Sequence, residues 1–195
     1  MQRILTRTIH LHVHSVFSLL DGACPVAELP RRAKELGQQS LAVTDHGVMY
    51  GCIDFYKACK AEGVHPIIGC EVYVAPRSRF DKTAELDGEA YHLVLLCQNQ
   101  KGYENLIYLV SQGFLQGFYN KPRVDWDLLK EYHEGLICLS ACLAGQVPRL
   151  LDQGSYEGAL ELATQYRDLF GPENYFIEVQ DHGIPEQKKV NEGLC

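Results

Sequence analysis

Six apolar runs of strand length alternate with segments of helical period along this chain, and that alternation most limits how it can fold. The runs cover residues 8–14, 40–44, 65–74, 91–97, 135–140 and 175–180. Helical patterns lie between them over 25–36, 49–61, 103–114, 125–133 and 155–169, and another opens near Pro185. Ser155 is a suitable N-cap, and Gly37 and Gly63 are suitable stops. Strand, helix, strand, helix predicts an α/β fold with a parallel sheet and crossover helices. Runs such as Leu93-Val94-Leu95-Leu96 and Leu136-Ile137-Cys138-Leu139 are apolar throughout, as expected of strands buried on both faces. Residues 75–90 form one long connection, rich in charge. Loops of that length are functional, mobile, or solvated hairpins of no consequence.

A length of 195 residues suits one domain with a sizeable core. With 46% hydrophobic and 22% charged residues, the chain reads as globular and not disordered. No apolar run approaches the roughly 20 residues a membrane helix needs. Residues 1–8 carry two arginines without an apolar stretch behind them, so no secretory leader is expected. The net charge of −7 excludes a domain built mainly around a strongly basic nucleic-acid surface. It leaves open nucleic acid reached through metal ions or through another domain. The eight cysteines form no C-x-x-C pair and sit mostly in apolar segments, which predicts buried free thiols in a reducing compartment.

The first run reads Ile9-His10-Leu11-His12-Val13-His14. Alternation along a strand places three histidines on one face, with neighbouring roots roughly 7 Å apart. Two such imidazoles can converge on one metal or on adjacent metals, but His10 and His14 are too far apart to share one. A solvated edge strand explains one histidine better than three in register. The second run ends Thr44-Asp45-His46-Gly47, where an apolar strand gives way to a glycine turn. Strand ends of this kind gather ligands in parallel α/β folds, although a capping Asp in a turn reads the same way. Glu71 is the one charge between His65 and Arg77, inside an apolar run. A carboxylate there costs several kcal/mol unless something pairs with it, and a metal is a natural partner.

Asp21 precedes Gly22 and reads as a turn residue or as an oxygen ligand reaching back. His92 opens the fourth run, which is awkward for a strand-end rule, and Cys142 follows the fifth. Asp181-His182 ends the sixth and Glu178 lies within it; each of these, alone, reads more readily as structural. The collected set is His12, His14, Asp21, His46 and Glu71, with His92 and Cys142 as further candidates. Mixed imidazole and carboxylate donors suit zinc, manganese or iron and suit calcium poorly. Two or three such metals close together suit attack of a bridging hydroxide on a phosphate ester. They also bring the positive charge that the chain itself lacks. No P-loop and no G-x-G-x-x-G offers another way to hold phosphate.

These motifs together resemble the PHP (polymerase and histidinol phosphatase) superfamily. The resemblance rests on His10-Leu11-His12-Val13-His14-Ser15, Ser18-Leu19-Leu20-Asp21-Gly22, Thr44-Asp45-His46-Gly47 and Ile67-Ile68-Gly69-Cys70-Glu71. Further motifs point to the branch at the N-terminus of bacterial DNA polymerase III alpha subunits. They include Tyr91-His92-Leu93, Lys101-Gly102-Tyr103-Glu104-Asn105-Leu106, Leu139-Ser140-Ala141-Cys142-Leu143, Gln180-Asp181-His182-Gly183 and Pro185-Glu186-Gln187-Lys188-Lys189-Val190-Asn191.

The resemblance implies a distorted seven-stranded β/α barrel with two or three divalent metals (zinc, manganese or iron) at the strand ends. His12, His14, Asp21, His46, Glu71, His92 and Cys142 match its metal ligands. Asp45 matches a position beside the metals, as a catalytic carboxylate or as a support for the ligands. The implied activity is metal-dependent phosphodiester hydrolysis, a 3′–5′ exonuclease with a proofreading role. In members whose ligands have decayed, the domain is a scaffold. The parent would be a cytoplasmic DNA-directed DNA polymerase acting on a primer-template with a sliding clamp and clamp loader. The family's last two ligands, in an Asn-Asp-x-His stretch, have no counterpart here, so residues 1–195 read as a PHP domain short of its last strand. Polymerase palm, fingers and DNA-binding domains are absent from the sequence. Amidohydrolase barrels also open with His-x-His, but the bridging Lys or later His pair at strand ends that they need is not found.

Overall fold

The computed structural model describes residues 8–195; the leader reading rests mainly on residues 1–7, which lie outside the described residues. The first half comprises α1 (Leu29–Glu35), β1 (Ser40–Val43), α2 (Cys52–Glu62), β2 (His65–Val74), α3 (Ala84–Asp87), β3 (Tyr91–Cys97) and α4 (Gln100–Leu115). Then come β4 (Arg123–Val124), α5 (Trp126–Tyr132), β5 (Leu136–Leu139), α6 (Gln146–Asp152), α7 (Tyr156–Phe170), β6 (Tyr175–Phe176) and α8 (Pro185–Leu194). Asn99 caps α4 by accepting a 3.0 Å bond from the Gly102 N–H, and Asp125 caps α5 by accepting one of 3.0 Å from the Leu128 N–H. Gly63 ends α2 at φ 73°. Ser155 precedes α7 as expected, but its side chain makes no capping bond.

The six strands form one mixed sheet in the order β1-β2-β3-β5-β6, with β4 beside β2. The expectation of a parallel sheet holds for β1 with β2, β2 with β4 and β5 with β6. It fails at β3, which runs antiparallel to both β2 and β5. A parallel neighbour needs a connection that crosses the sheet, usually a long helix. Residues 75–90 hold only the four-residue α3 and fold up at the end where β2 finishes, so β3 starts from that same end.

That connection is firmly tied. Buried Arg123 donates hydrogen bonds to the carbonyls of Gly117, Asp87, Arg79 and Asp81 at 2.8–3.2 Å. Arg77 grips Asp87 with a two-pronged fork at 3.0 and 2.6 Å. Arg79 reaches the Asp125 carboxylate at 2.8 Å.

Residues 8–14 do not form the expected strand. The Ala42 N–H donates to the His10 carbonyl at 3.0 Å and the Thr44 N–H to the Val13 carbonyl at 2.8 Å. Two residues along β1 therefore meet three along the flanking segment. The ladder slips there, and the chain bends at His12. The Thr44 hydroxyl fills part of the gap by accepting a 2.8 Å bond from the Val13 N–H. The expected strand over 175–180 shortens to Tyr175–Phe176, and the helix expected over 25–36 shortens to Leu29–Glu35.

One face of the sheet packs Cys70, Val72, Val74, Leu93 and Leu95 against Leu106 and Leu109 of α4, Leu128 and Leu129 of α5, and Tyr166 of α7. Leu41 and Val43 pack with Phe55 and Cys59 of α2 in a second cluster. Ile67, Leu96, Ile137 and Leu139 line a trough of about 850 Å³. The eight cysteines are all free. Among the described residues, no helix is long and apolar enough to cross a membrane.

Candidate metal centre

Sheet register brings the candidate ligands together. Ser40 pairs with His65 and Val43 with Ile68, and the same parallel register continues past β1 to set His46 opposite Glu71. Across the antiparallel pair, Glu71 faces Val94 and Tyr73 faces His92. Glu71 and Tyr73 share a face, so His92 is the diagonal neighbour of Glu71. The awkward position of His92 is thereby explained. An antiparallel strand begins where its parallel-running neighbours end. Leu139 faces Val94 on the far side of β3, which carries Cys142 back to the same end of the sheet.

Two local backbone features complete the placement. Gly47 follows His46 at φ 64°, and a Cβ there would lie 2.9 Å from the Tyr73 ring and 3.0 Å from Pro122. Ala141 adopts φ 64°, a left-handed turn of a non-glycine residue immediately before Cys142.

Glu71 is fully buried and has four histidines around it. His12 Nε2 lies 3.1 Å and His92 Nδ1 3.0 Å from Glu71 Oε1. His14 Nε2 lies 3.7 Å from Oε2, and His46 Nδ1 closes on that same oxygen. Asp21, turned back toward the site, places Oδ2 3.0 Å from His46 Nε2. Cys142 Sγ stands 3.8 Å from Glu71 Oε1 and 3.6 Å from His92 Nδ1. All seven sequence-predicted ligand positions thus fall in one neighbourhood, and His10 stays exposed outside it. Among the described residues, two groups have donor atoms within 4.8 Å of one another: His12, His14 and Glu71, and His46, Glu71 and His92.

Asp45 sits beside this cluster and is engaged elsewhere. Its carboxylate accepts bonds from the Ser15 N–H at 2.6 Å, the Ser15 hydroxyl at 2.7 Å and the Ser18 hydroxyl at 2.8 Å. Ser18 Oγ in turn lies 3.0 Å from His14 Nδ1 and accepts a 3.1 Å bond from the His46 N–H. Asp45 therefore braces the turn that carries one histidine and contacts the next.

The electrostatics are those of a crowded site around one buried carboxylate. Burial opposes ionisation of Glu71, yet hydrogen bonds from His12, His46 and His92 outweigh it and hold the carboxyl far below its ordinary range. Burial also opposes charge on His12, but its bonds to Glu178 and Glu71 push it up to about 9. Burial and the neighbouring His46 push His14 down to about 4. Burial, then the charge of Glu71, pushes the Cys142 thiol up to about 11.

The donor chemistry fits divalent metal ions. His12 Nε2 and His14 Nε2 lie 3.2 Å apart, and both face Glu71. His46 Nδ1 and Glu71 Oε2 are buried against each other, and neither has a further hydrogen-bond partner. Imidazole nitrogens gathered around one ionised carboxylate form a donor set that suits such ions.

Sequence reasoning set Glu178 aside as structural, yet its Oε1 lies 2.7 Å from His12 Nδ1. The signal was a carboxylate inside the Tyr175-Phe176-Ile177-Glu178 run, the same signal that singled out Glu71. Ser15 and Ser18, which hold Asp45, carry no comparable mark in the sequence.

This chain is similar to several known proteins. A DNA polymerase III subunit alpha from Treponema pallidum is 58% identical over 183 residues, covering 93% of this chain and 16% of the relative. Subunits of the same name from Borreliella burgdorferi and Thermus aquaticus are 46% and 47% identical, covering 97% and 95% of this chain. This chain thus spans about 14–16% of the length of the curated relatives it matches. A solved putative metal-dependent phosphoesterase from Bifidobacterium adolescentis aligns over 96% of this chain at 18% identity and a TM-score of 0.40, too low to support a structural argument. The PHP domain model matches residues 10–182, from the histidine segment beside β1 to the turn after β6, and the chain belongs to the PHP domain family.

Proposed function

We propose that this chain is the N-terminal PHP domain of a replicative DNA-directed DNA polymerase, a DNA polymerase III alpha subunit, and that it hydrolyses phosphodiesters as a metal-dependent 3′–5′ exonuclease. The observation that carries this reading is the buried Glu71 carboxylate surrounded by His12, His14, His46 and His92. The polymerase assignment is supported by identities of 46–58% to alpha subunits over nearly all of this chain. In this reading the six-stranded sheet is the greater part of a distorted seven-stranded β/α barrel, and residues 1–195 are one PHP domain. The parent works in the cytoplasm on a primer-template with a sliding clamp and clamp loader.

Two or three divalent ions, zinc, manganese or iron, would be held by His12, His14, Asp21, His46, Glu71, His92 and Cys142. When bound, they supply positive charge to the attacking and leaving oxygens of the ester. The chain's own residues do the rest. Glu71 stays ionised and offers both oxygens, so it joins the His12–His14 group to the His46–His92 group. His14, held below its usual range, presents a neutral imidazole at neutral pH. Asp45, through Ser15 and Ser18, keeps the His14 turn against the His46 turn; it acts by positioning. Half-buried Cys142 would give up its proton on ligating, so binding there would strengthen as pH rises.

The test is degradation of a 3′-labelled oligonucleotide by the full-length protein loaded with manganese or zinc. Release of the terminal nucleotide, stopped by chelator and lost in a His12→Ala, His14→Ala double variant, is the expected result. If the metal-loaded protein leaves the label intact, the hydrolase reading fails. A melting temperature that still falls on chelation would then favour a metal-stabilised scaffold.

A further inference from the structure

We infer that Glu178 is a positioning residue for the metal centre: it fixes the orientation and tautomer of His12, so that Nε2 faces Glu71 as the metal-binding nitrogen. The inference rests on the metal-binding part of the proposed function and assigns a role to a residue outside the ligand set.

The geometry is specific. His12 has its two ring nitrogens against two different carboxylates, Nδ1 at 2.7 Å from Glu178 Oε1 and Nε2 at 3.1 Å from Glu71 Oε1. An imidazole that donates Nδ1–H to a carboxylate keeps its Nε2 lone pair free for a metal, and the carboxylate raises the ring's basicity. Glu71 is the carboxylate shared with His14, His46 and His92, which identifies the Nε2 side as the metal side. Glu178 touches none of those three.

Glu178 is itself held from both directions. Its N–H donates to the Ser140 hydroxyl at 2.8 Å, which ties it to the end of β5. The Gln180 amide donates to Glu178 Oε1 at 2.7 Å. The Gln180 carbonyl accepts a 2.8 Å bond from the Asn191 side chain of α8, and the Gln187 amide reaches Gln180 Oε1 at 3.5 Å. The last helix therefore supports His12 through Gln180 and Glu178, and the two-residue β6 can hold a carboxylate in place despite its length. Glu178 Oε2 is buried without a hydrogen bond, so Oε1 alone makes the side chain's polar contacts, to His12 and Gln180.

The experiment uses the 195-residue chain and zinc. Chelator competition measures affinity for wild type, Glu178→Ala and Glu178→Gln, and nitrogen NMR of the zinc-loaded wild type reads the His12 tautomer. We expect zinc binding weakened about 10- to 100-fold in Glu178→Ala. Glu178→Gln, which retains an acceptor oxygen, should recover part of the loss. The wild-type His12 should carry its proton on Nδ1. Wild type that binds zinc with Glu178→Ala unchanged overturns the positioning role and leaves the metal reading intact. So does a His12 protonated on Nε2, and so does the loss of a whole ion, which would make Glu178 a ligand. Wild type that binds no zinc overturns the metal reading itself, and this inference with it. The tautomer readout stands even if Glu178→Ala does not fold.

Discussion

His46 stands opposite Glu71 in the same parallel register that pairs Ser40 with His65 and Val43 with Ile68. A candidate ligand pair that follows from strand register is as rigid as the sheet that sets it. It depends on Gly47, which turns the chain at φ 64° beside the Tyr73 ring. Gly47→Ala should cost about 2–3 kcal/mol, from the left-handed backbone and the clash at Tyr73 together. Urea denaturation measures it, and a change under about 0.5 kcal/mol would mean the turn can rearrange without loss.

Ala141 makes the corresponding turn before Cys142 at φ 64°. Ala141→Gly should be neutral or stabilising by up to about 1 kcal/mol, because glycine removes the strain while loosening the unfolded chain. Ala141→Val should destabilise by about 1–2 kcal/mol, since a branched side chain tolerates that region worst. Thermal unfolding of the two variants side by side checks the order. A valine variant as stable as the glycine variant would contradict the turn described here.

Arg123 binds four carbonyls around the 75–90 connection. Arg123→Met leaves those acceptors without their donor and should cost about 3–5 kcal/mol. Tryptic cleavage after the exposed Lys82 should accelerate in the same variant. Unchanged cleavage would show that Arg123 does not hold the loop.

Asp87 is held below its ordinary range, first by the Arg77 fork and further by the Thr83 N–H. A depressed carboxyl contributes stability that is present above its unfolded value, near 3.8, and is lost as pH falls through the folded one. Asp87→Asn should therefore flatten the acid limb of a stability-versus-pH curve below about pH 4 and lower stability at neutral pH. An unchanged acid limb would mean the fork contributes nothing.

Much of the candidate centre was legible in the sequence, because its candidate ligands interrupt apolar strands and stand at strand ends. Glu71 and His46 carry that mark plainly. His92 did not fit a parallel sheet, since the direction of β3 is set by how residues 75–90 fold, and that depends on Arg123, distant in sequence. The alternation of His10, His12 and His14 suggested a full strand. The slip against β1 at His12 is tertiary, set where the Thr44 side chain replaces a backbone partner. Glu178 carried the right signal but needed the β5 and β6 pairing to bring it to His12.

The most direct test of the central claim is metal content. The 195-residue chain and its Glu71→Gln variant, each exposed to zinc or manganese and then dialysed, are compared by elemental analysis. Retention of at least one divalent ion per chain in the wild type, with loss in a variant that still folds, is the predicted result. A wild-type chain that retains no ion, or a variant that retains as much, would contradict a metal centre built on Glu71.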